Sequence, residues 1–441
     1  MQVRPCAAAA LLLAFAACGP APAPGASSPS ASPTPRDLGR EVLVTNDGWA
    51  STTTGTTGGA KADAAHVRTV SDRQQLVAAL ADPTDGAAKT VYIKGTIDGN
   101  VDDANKPMRC EDYATAGYTL DAYLKAYDPA TFGRTKRPSG APEEARAASQ
   151  KKQAARVQLK VSPNTTIVGV DGARLVGVNL VVDQVDNVII RNLTFVDAYD
   201  CFPQWDPTDG SQGNWNSQYD NISLYSATHV WIDHNAFGDG DHPDTKQPSY
   251  FARPYQIHDG QLDIAKASDL VTVSWNRFAD HDKVMLIGSS DTATADAGKL
   301  NVTIHHNLFT GVGQRAPRVR FGKVDVYNNV YEIPSASGYT YSWGIGVEAK
   351  LYAENNVLRL GPGVAADRFI RAFNGKSVRA IGTLTDDGTK KASVDLLAAY
   401  NAASDPKLGD DVGWTPSLRV GVDDTDNLGM TVGKRAGPGA L

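Results

Sequence analysis

One short pattern of apolar and polar positions recurs through the middle of the chain: β-forming residues in alternation, then Asn, then an apolar residue one or two places on. It appears as VIIRNLTF (Val188–Phe195), VWIDHNAF (Val230–Phe237), VTVSWNRF (Val271–Phe278) and VTIHHNLF (Val302–Phe309). Looser copies follow as VDVYNNVY (Val324–Tyr331) and LYAENNVL (Leu351–Leu358). The repeated Asn falls at 192, 235, 276, 307, 329 and 356, in steps of 43, 41, 31, 22 and 27 residues. A floor near 22 with longer steps predicts a short coil that carries insertions on some turns. Each copy alternates with the period of a strand buried on one face, and none has helical i, i+3, i+4 spacing. Asn tolerates the left-handed backbone and bonds neighbouring backbone groups, which suits it to the sharp bends of a parallel coil. Residues from about Asn164 to about Leu360 therefore read as an all-β parallel β-helix. An antiparallel sandwich would need hairpin turns between adjacent strands, and the gaps here are mostly too long and polar.

A solenoid needs capped ends. Ser71-Asp72-Arg73-Gln74 resembles a capping box opening a helix, with Leu76, Val77 and Leu80 behind it, and Val91–Ile97 reads as the first strand. Glu143–Arg156 is expected as an exposed helix within a polar insertion of about residues 98–158. The region after Leu360 lacks the Asn pattern and is expected to pack back along the coil.

The first residues read differently. A short positive start is followed by the apolar run Ala7–Ala17, too short to span a bilayer and fit for a signal segment. Ala16-Ala17-Cys18-Gly19 resembles a lipobox, in which Cys18 is lipidated, although Phe15 stands where Leu is usual; cleavage by an ordinary signal peptidase is the alternative. Residues 18–36, rich in Ala, Pro and Ser, read as a stalk, and 37–441 as the folded domain. Secretion or anchoring outside the cell by Cys18 is the expected location. Export permits disulfides, and Cys110 and Cys201, the two Cys left in the mature chain, are expected to pair.

With 43 Lys and Arg against 49 Asp and Glu, the chain does not favour nucleic acid, so an anionic partner would need a local cationic patch, a metal, or both. Gln314–Arg320 (QRAPRVR) supplies such a patch. Arg318 and Arg320 share a face if the segment is extended, while Pro317 lets Arg315 project differently. Lys283 lies one coil earlier. Arg suits carboxylates because its planar fork binds them bidentately; a solvated Arg face is the alternative. Asp220, Asp259 and Asp263 offer hard oxygen donors of the kind Ca²⁺ takes, and coil stacking could gather them. On residues alone, solvated surface carboxylates remain the commoner explanation, since Asp239-Gly240-Asp241 and Asp280-His281-Asp282 are equally acidic.

At DCFPQWDPTDG, GNWNSQYDNI, VWIDHNAF, HDGQLD, HDHDKVMLIGSSD, QRAPRVRFGKVDVYNNVY and SWGIGVEAKLYAENNV the chain resembles the bacterial calcium-dependent pectate lyases of polysaccharide lyase family 1, from about Asp37 to the C-terminus. WIDH and RAPRVRFG together are highly specific. The resemblance implies a right-handed parallel β-helix with an N-terminal helical cap, long loops on one face and a groove that takes polygalacturonate. It implies Asp220, Asp259 and Asp263 as calcium ligands and Arg315 as the base. Lys283 and Arg320 would bind substrate carboxylates, with Arg318 beside them. The implied reaction is β-elimination, leaving a 4,5-unsaturated galacturonosyl end. Arginine serves as a base only when deprotonated, which neighbouring cations and desolvation favour. Ile257 and Asp325 depart from the family pattern, each standing where His is frequent, and are expected to bear on substrate contacts or pH response. A pectin lyase acting on methyl esters would lack the three Asp, and a non-catalytic pectin-binding surface protein would not need Arg315. The chain is expected to act as a monomer.

Overall fold

The computed structural model describes residues 36–81, 86–115 and 117–441. The expected signal segment, Cys18 and the expected stalk up to residue 35 lie outside the described residues. Leu38–Leu441 forms one unit.

Each turn of the chain lays down three short strands, and successive turns stack in parallel. One wall is an eight-stranded sheet of Gln158–Lys160, Asn179–Asp183, Ile222–Tyr225, Leu262–Ala265, Leu286–Ile287, Arg318–Val319, Trp343–Ile345 and Ile370–Ala372, neighbours in that order. The other two walls are parallel ladders. In one, Thr228–Asp233 lies between Asp186–Arg191 and Asp269–Ser274. In the other, Ala236–Gly238 lies between Thr194–Val196 and Arg277–Ala279. This is the parallel β-helix that the repeat predicts. Inward positions hold the apolar half of the alternation: Val230, Ile232, Val271, Val273, Val302 and Ile304 are all fully buried, each worth about 2 kcal/mol of burial. Phe195, Phe237, Phe278, Phe309 and Tyr331 stack in a column with ring centroids 4.8–5.1 Å apart.

The Asn ladder is real but one member shorter than the sequence suggests. The backbone N–H groups of Asn235, Asn276, Asn307 and Asn329 donate to Oδ1 of the next Asn, ending at Asn356, at 2.9–3.0 Å. Asn192 is not a rung. Val188 pairs with Val230, so Leu193 occupies the rung position, and Asn192 bonds the Gly169 carbonyl instead. Nor do the ladder Asn residues take the left-handed conformation. It falls one place earlier, at Asn192, His234, Trp275, His306, Asn328 and Asn355, with φ between 49° and 59°. The rung Asn works through its amide, and its neighbour makes the bend.

The boundaries also move. Val67–Val70 precedes the helix Arg73–Ala81 and is the first strand, pairing with Lys89–Asp98; a run of four residues carries too little periodicity to be recognised. The helix cap sits one residue later than expected: Asp72 Oδ1 accepts from Gln75 N–H and the Gln75 side chain accepts from Ser71 N–H. Leu76 and Leu80 seal the core there. The insertion carries the helix Ala141–Val157, and Cys110 is bonded to Cys201. Past Leu360 the coil makes a further turn, Ile370–Ala372, Val378–Ile381 and Leu384–Asp386, because apolar inward residues sustain stacking without a ladder Asn. Only then does the chain return along the coil, where Gly439 N–H reaches Asn192.

Two terminal segments cover the wall that contains Thr228–Asp233. Trp49 and Ala50 donate to Thr303 and Thr272, and Arg419 pairs with Asp325 and Glu354. That places WIDH and Asp325 away from the eight-stranded sheet. Asp233 pairs with Arg191 under the N-terminal segment. Asp325, buried against Arg419, has no access to a substrate on the other wall. Ile257 is buried with Trp205, Trp215 and Tyr255. The outer face of the eight-stranded sheet carries polar and charged groups instead.

Candidate active site

Register brings the predicted residues together on that sheet. Ser223 pairs with Asp263, Leu286 with Arg318, and isolated bridges align Gly260 with Lys283 and Lys283 with Gln314. Asp220, Asp259, Asp263, Lys283, Arg315, Arg318 and Arg320 therefore lie on or beside four successive coils of one wall.

The acidic half is built by backbone donors. Asp220 accepts from Gly260 N–H at 2.9 Å and from Ser223 Oγ at 2.6 Å, and Asp263 accepts from Leu286 N–H at 3.0 Å. Gly260 is required by space: a Cβ there would lie 2.7 Å from Asp220 Oδ1 and 2.6 Å from Asp263 Oδ1. The two carboxylates thus flank one point on adjacent coils. Burial, then the charges of Asp263 and Asp259, hold Asp220 well above the usual carboxylate range. Burial and the Asp259 charge push Asp263 up to about 7. Asp259 behaves oppositely: burial disfavours its charge, but Lys283 and Arg315 outweigh burial and hold it low. Lys283 Nζ donates to Asp259 Oδ1 at 2.9 Å, and that carboxylate keeps the buried Lys283 charged.

Among the described residues, no three His, Cys, Asp or Glu side chains are already closed around a metal position. Asp259 is turned toward Lys283 rather than toward its two neighbours. The donor set nevertheless fits a hard divalent cation. Two carboxylates converge across Gly260, and their mutual repulsion is what such an ion would relieve.

The basic half is uneven. Arg315 is in the left-handed region, with φ 59°, and its carbonyl accepts from Met285 N–H at 2.7 Å. Its guanidinium faces Tyr341, and its Nε is buried without a hydrogen-bond partner. Arg318 lies 4.0 Å over the Phe373 ring. Burial lowers its pKa, Tyr341 opposes that as the next-largest effect, and Arg320 and Arg315 lower it further. Arg320 Nε donates to Asp291 at 2.6 Å. Arg315 and Arg318 both lie against Tyr341, while Arg320 reaches Asp291.

Sequence reasoning did not find the residues behind the site. His281 Nδ1 meets Asp239 Oδ1 at 2.6 Å, while Nε2 faces the carbonyls of Asp259 and Lys283 at 2.8 and 3.1 Å. Acceptors on both sides require both ring nitrogens to donate, so His281 is an imidazolium. Burial opposes that charge and Asp239 secures it. The acidic runs around Asp239 and His281 were visible in the chain, but only stacking shows that one braces the other. A pocket of about 570 Å³ lined by Asp244, Gln256, Asp282 and Tyr339 lies alongside and contains none of the predicted site residues.

Residues 138–405 match the family model described as pectate lyase. The chain is 51% identical over 409 residues to the pectate lyase of Bacillus subtilis (strain 168), covering 92% of this chain and 94% of that enzyme. It is 37% identical over 340 residues to pectate lyase E of Dickeya dadantii (strain 3937), covering 75% of this chain and 72% of the relative. A solved pectate lyase described as bound to a hexasaccharide superimposes with TM-score 0.87 at 50% identity, over 92% of this chain and all of its own. Another, from Acidovorax avenae subsp. citrulli, gives 0.84 at 34%, over 95% of this chain and 99% of its own. Agreement of this extent, in a coil that sets carboxylates and arginines on one wall, makes the chain a member of the pectate lyase family.

Proposed function

We propose that this protein cleaves polygalacturonate by calcium-dependent β-elimination on the outer face of the eight-stranded sheet. The observation that carries the reading is the juxtaposition of Asp220 and Asp263, converging across Gly260, with Lys283 and an Arg315 whose Nε has no partner. Arg315, in its neutral form, takes the C5 proton, which lies α to the uronate carboxylate. The C–H electron pair becomes the C4=C5 bond, the C4–O bond breaks, and the departing sugar oxygen is protonated by water. Lys283 and Arg320 meet substrate carboxylates and fix the sugar in register, with Arg318 lining the same face. Asp220, Asp259 and Asp263 would hold calcium, which when bound withdraws charge from the uronate and acidifies C5–H. The products would carry 4,5-unsaturated galacturonosyl ends. Repelling carboxylates make little sense for a neutral ester, which favours pectate over methylated pectin. We further propose that the enzyme works as a monomer outside the cell, secreted or held through a lipid on Cys18.

The test follows the ultraviolet absorbance of the unsaturated uronate on polygalacturonate, with calcium, with chelator, and with calcium restored. Signal only with calcium supports the reading. Full activity in excess chelator would remove calcium from it, and no unsaturated product under any condition would remove the elimination.

A further inference from the structure

Arg320 belongs to a small network that the proposed reaction does not account for. Its Nε donates to Asp291 Oδ1 at 2.6 Å and its Nη1 to the Gly288 carbonyl at 3.2 Å. The other carboxylate oxygen, Asp291 Oδ2, accepts from Asn374 Nδ2 at 3.0 Å. Three coils thus meet at one guanidinium: the turn after Leu286–Ile287, the end of Arg318–Val319, and the turn after Ile370–Ala372. Gly288, at φ 95°, allows the approach, since a Cβ there would lie 2.8 Å from Arg320 Cβ.

The pattern differs from that of purely structural arginines in the same protein. Arg419 spends Nε, Nη1 and Nη2 on Asp325 and Glu354, and Arg191 is held by both Glu41 and Asp233. Arg320 meets one carboxylate, at its Nε. A guanidinium has five donors, and among the described residues its Nη2 has no hydrogen-bond partner. The Arg320 side chain is only 12% exposed, so these remaining donors are held in place.

We propose that Asp291 and Asn374 are positioning residues, which hold the Arg320 guanidinium so that its free Nη edge is presented to a uronate carboxylate. The inference rests on Arg320 as a carboxylate-binding group of the proposed lyase. Two effects of Asp291 oppose each other. Its charge repels an anionic polymer, but Arg320 neutralises that charge within the ion pair, and salt screens what remains for sugars beyond about 8 Å. Its geometric effect, sparing the long Arg side chain the loss of rotamer freedom on binding, is unscreened and is worth about 10-fold in affinity. Geometry should therefore win at moderate ionic strength.

The experiment measures kcat and KM on polygalacturonate and calorimetric affinity for trigalacturonate in the whole protein with calcium. Asp291→Ala is expected to raise KM and Kd about 10-fold while kcat stays within about threefold. Asp291→Asn keeps an acceptor for Nε and drops the charge, so its KM should stay within about threefold of wild type. Asn374→Ala should move in the direction of Asp291→Ala by a smaller factor. In an Arg320→Ala background, Asp291→Ala should change Kd by less than about twofold, because nothing remains to be aimed. A merely structural Asp291 would give the same loss in both backgrounds, and that result overturns the proposal, as does an unchanged KM and Kd in Asp291→Ala. If the wild-type protein neither binds trigalacturonate nor makes unsaturated product, the polygalacturonate reading fails and this inference falls with it. A working wild type with unaffected variants overturns this inference alone.

Discussion

Replacing Asn307 by Ala probes the Asn ladder where it is most constrained. Asn307 is fully buried, and its Nδ2 donates to the carbonyls of Val273 and His305 and to Asn329 Oδ1 at 2.9–3.0 Å. Its Oδ1 accepts from both the backbone N–H and the Nδ2 of Asn276 at 2.9 Å. Alanine leaves the Asn276 N–H buried with no acceptor, a cost of about 1–3 kcal/mol. It also strips the Val273 carbonyl and the next rung of a donor, for about 1 kcal/mol each. The sum is about 3–5 kcal/mol. Asn192→Ala is the control. Its amide makes single bonds to the Gly169 carbonyl and from Gly439 N–H, at a half-buried position, and its left-handed backbone suits Ala less than Asn, so about 1–2 kcal/mol is expected. Equilibrium urea unfolding followed by circular dichroism and by tryptophan fluorescence gives both values, provided the two probes coincide. Equal losses in the two variants, or less than about 1 kcal/mol for Asn307→Ala, would show that the ladder is decoration on a coil held by its apolar interior.

Removing calcium should abolish formation of the unsaturated product, and Asp263→Ala should raise the calcium concentration needed for half-maximal activity, read also as weaker calorimetric calcium binding. Arg315→Lys keeps a positive charge but moves the amine and loses the fork, so turnover should drop at least about 100-fold while trigalacturonate affinity holds; a variant retaining a tenth or more of the activity would reduce Arg315 to an electrostatic clamp. His306 gives a pH prediction. Burial, then the charge of His305, lowers its pKa from 6.5 to about 3, against Asp423. A folded value below the unfolded one means that the unfolded chain takes up a proton the folded chain refuses. The stability contribution is therefore complete above about pH 6.5 and is lost as pH falls, by on the order of 2 kcal/mol at about pH 5. His306→Phe, which keeps a ring against Trp275, should flatten the decline in melting temperature over that range; an unaltered slope would assign the acid sensitivity elsewhere.

The sequence determined the coil. Alternation at Val230–Phe237, Val271–Phe278 and Val302–Phe309, with an Asn at the same place in each, points to stacked strands with one buried face; an antiparallel sandwich would bury the same positions, but the long polar gaps between copies do not make its hairpins. It also singled out the arginines of Gln314–Arg320, since a cationic cluster in an acidic chain is conspicuous without coordinates. Register was only partly legible. Asn192 and Asn235 look equivalent as letters, yet strand pairing puts Leu193 opposite Asn235, and a one-residue shift exchanges a rung for a bend. The tertiary structure alone decided which acidic groups meet. Asp220 and Asp263 are equal to Asp239 and Asp282 in composition. Stacking of coils turns the first two across Gly260 and sends Asp239 to brace His281. It likewise carried WIDH to the wall covered by the terminal segments, and joined Asp291, Arg320 and Asn374, which lie 29 and 83 residues apart from Asp291 along the chain. Periodicity is a property of neighbours in sequence, and it fixes which face a residue takes; which residues share that face across coils depends on the lengths of the loops between them, and those lengths follow no repeat.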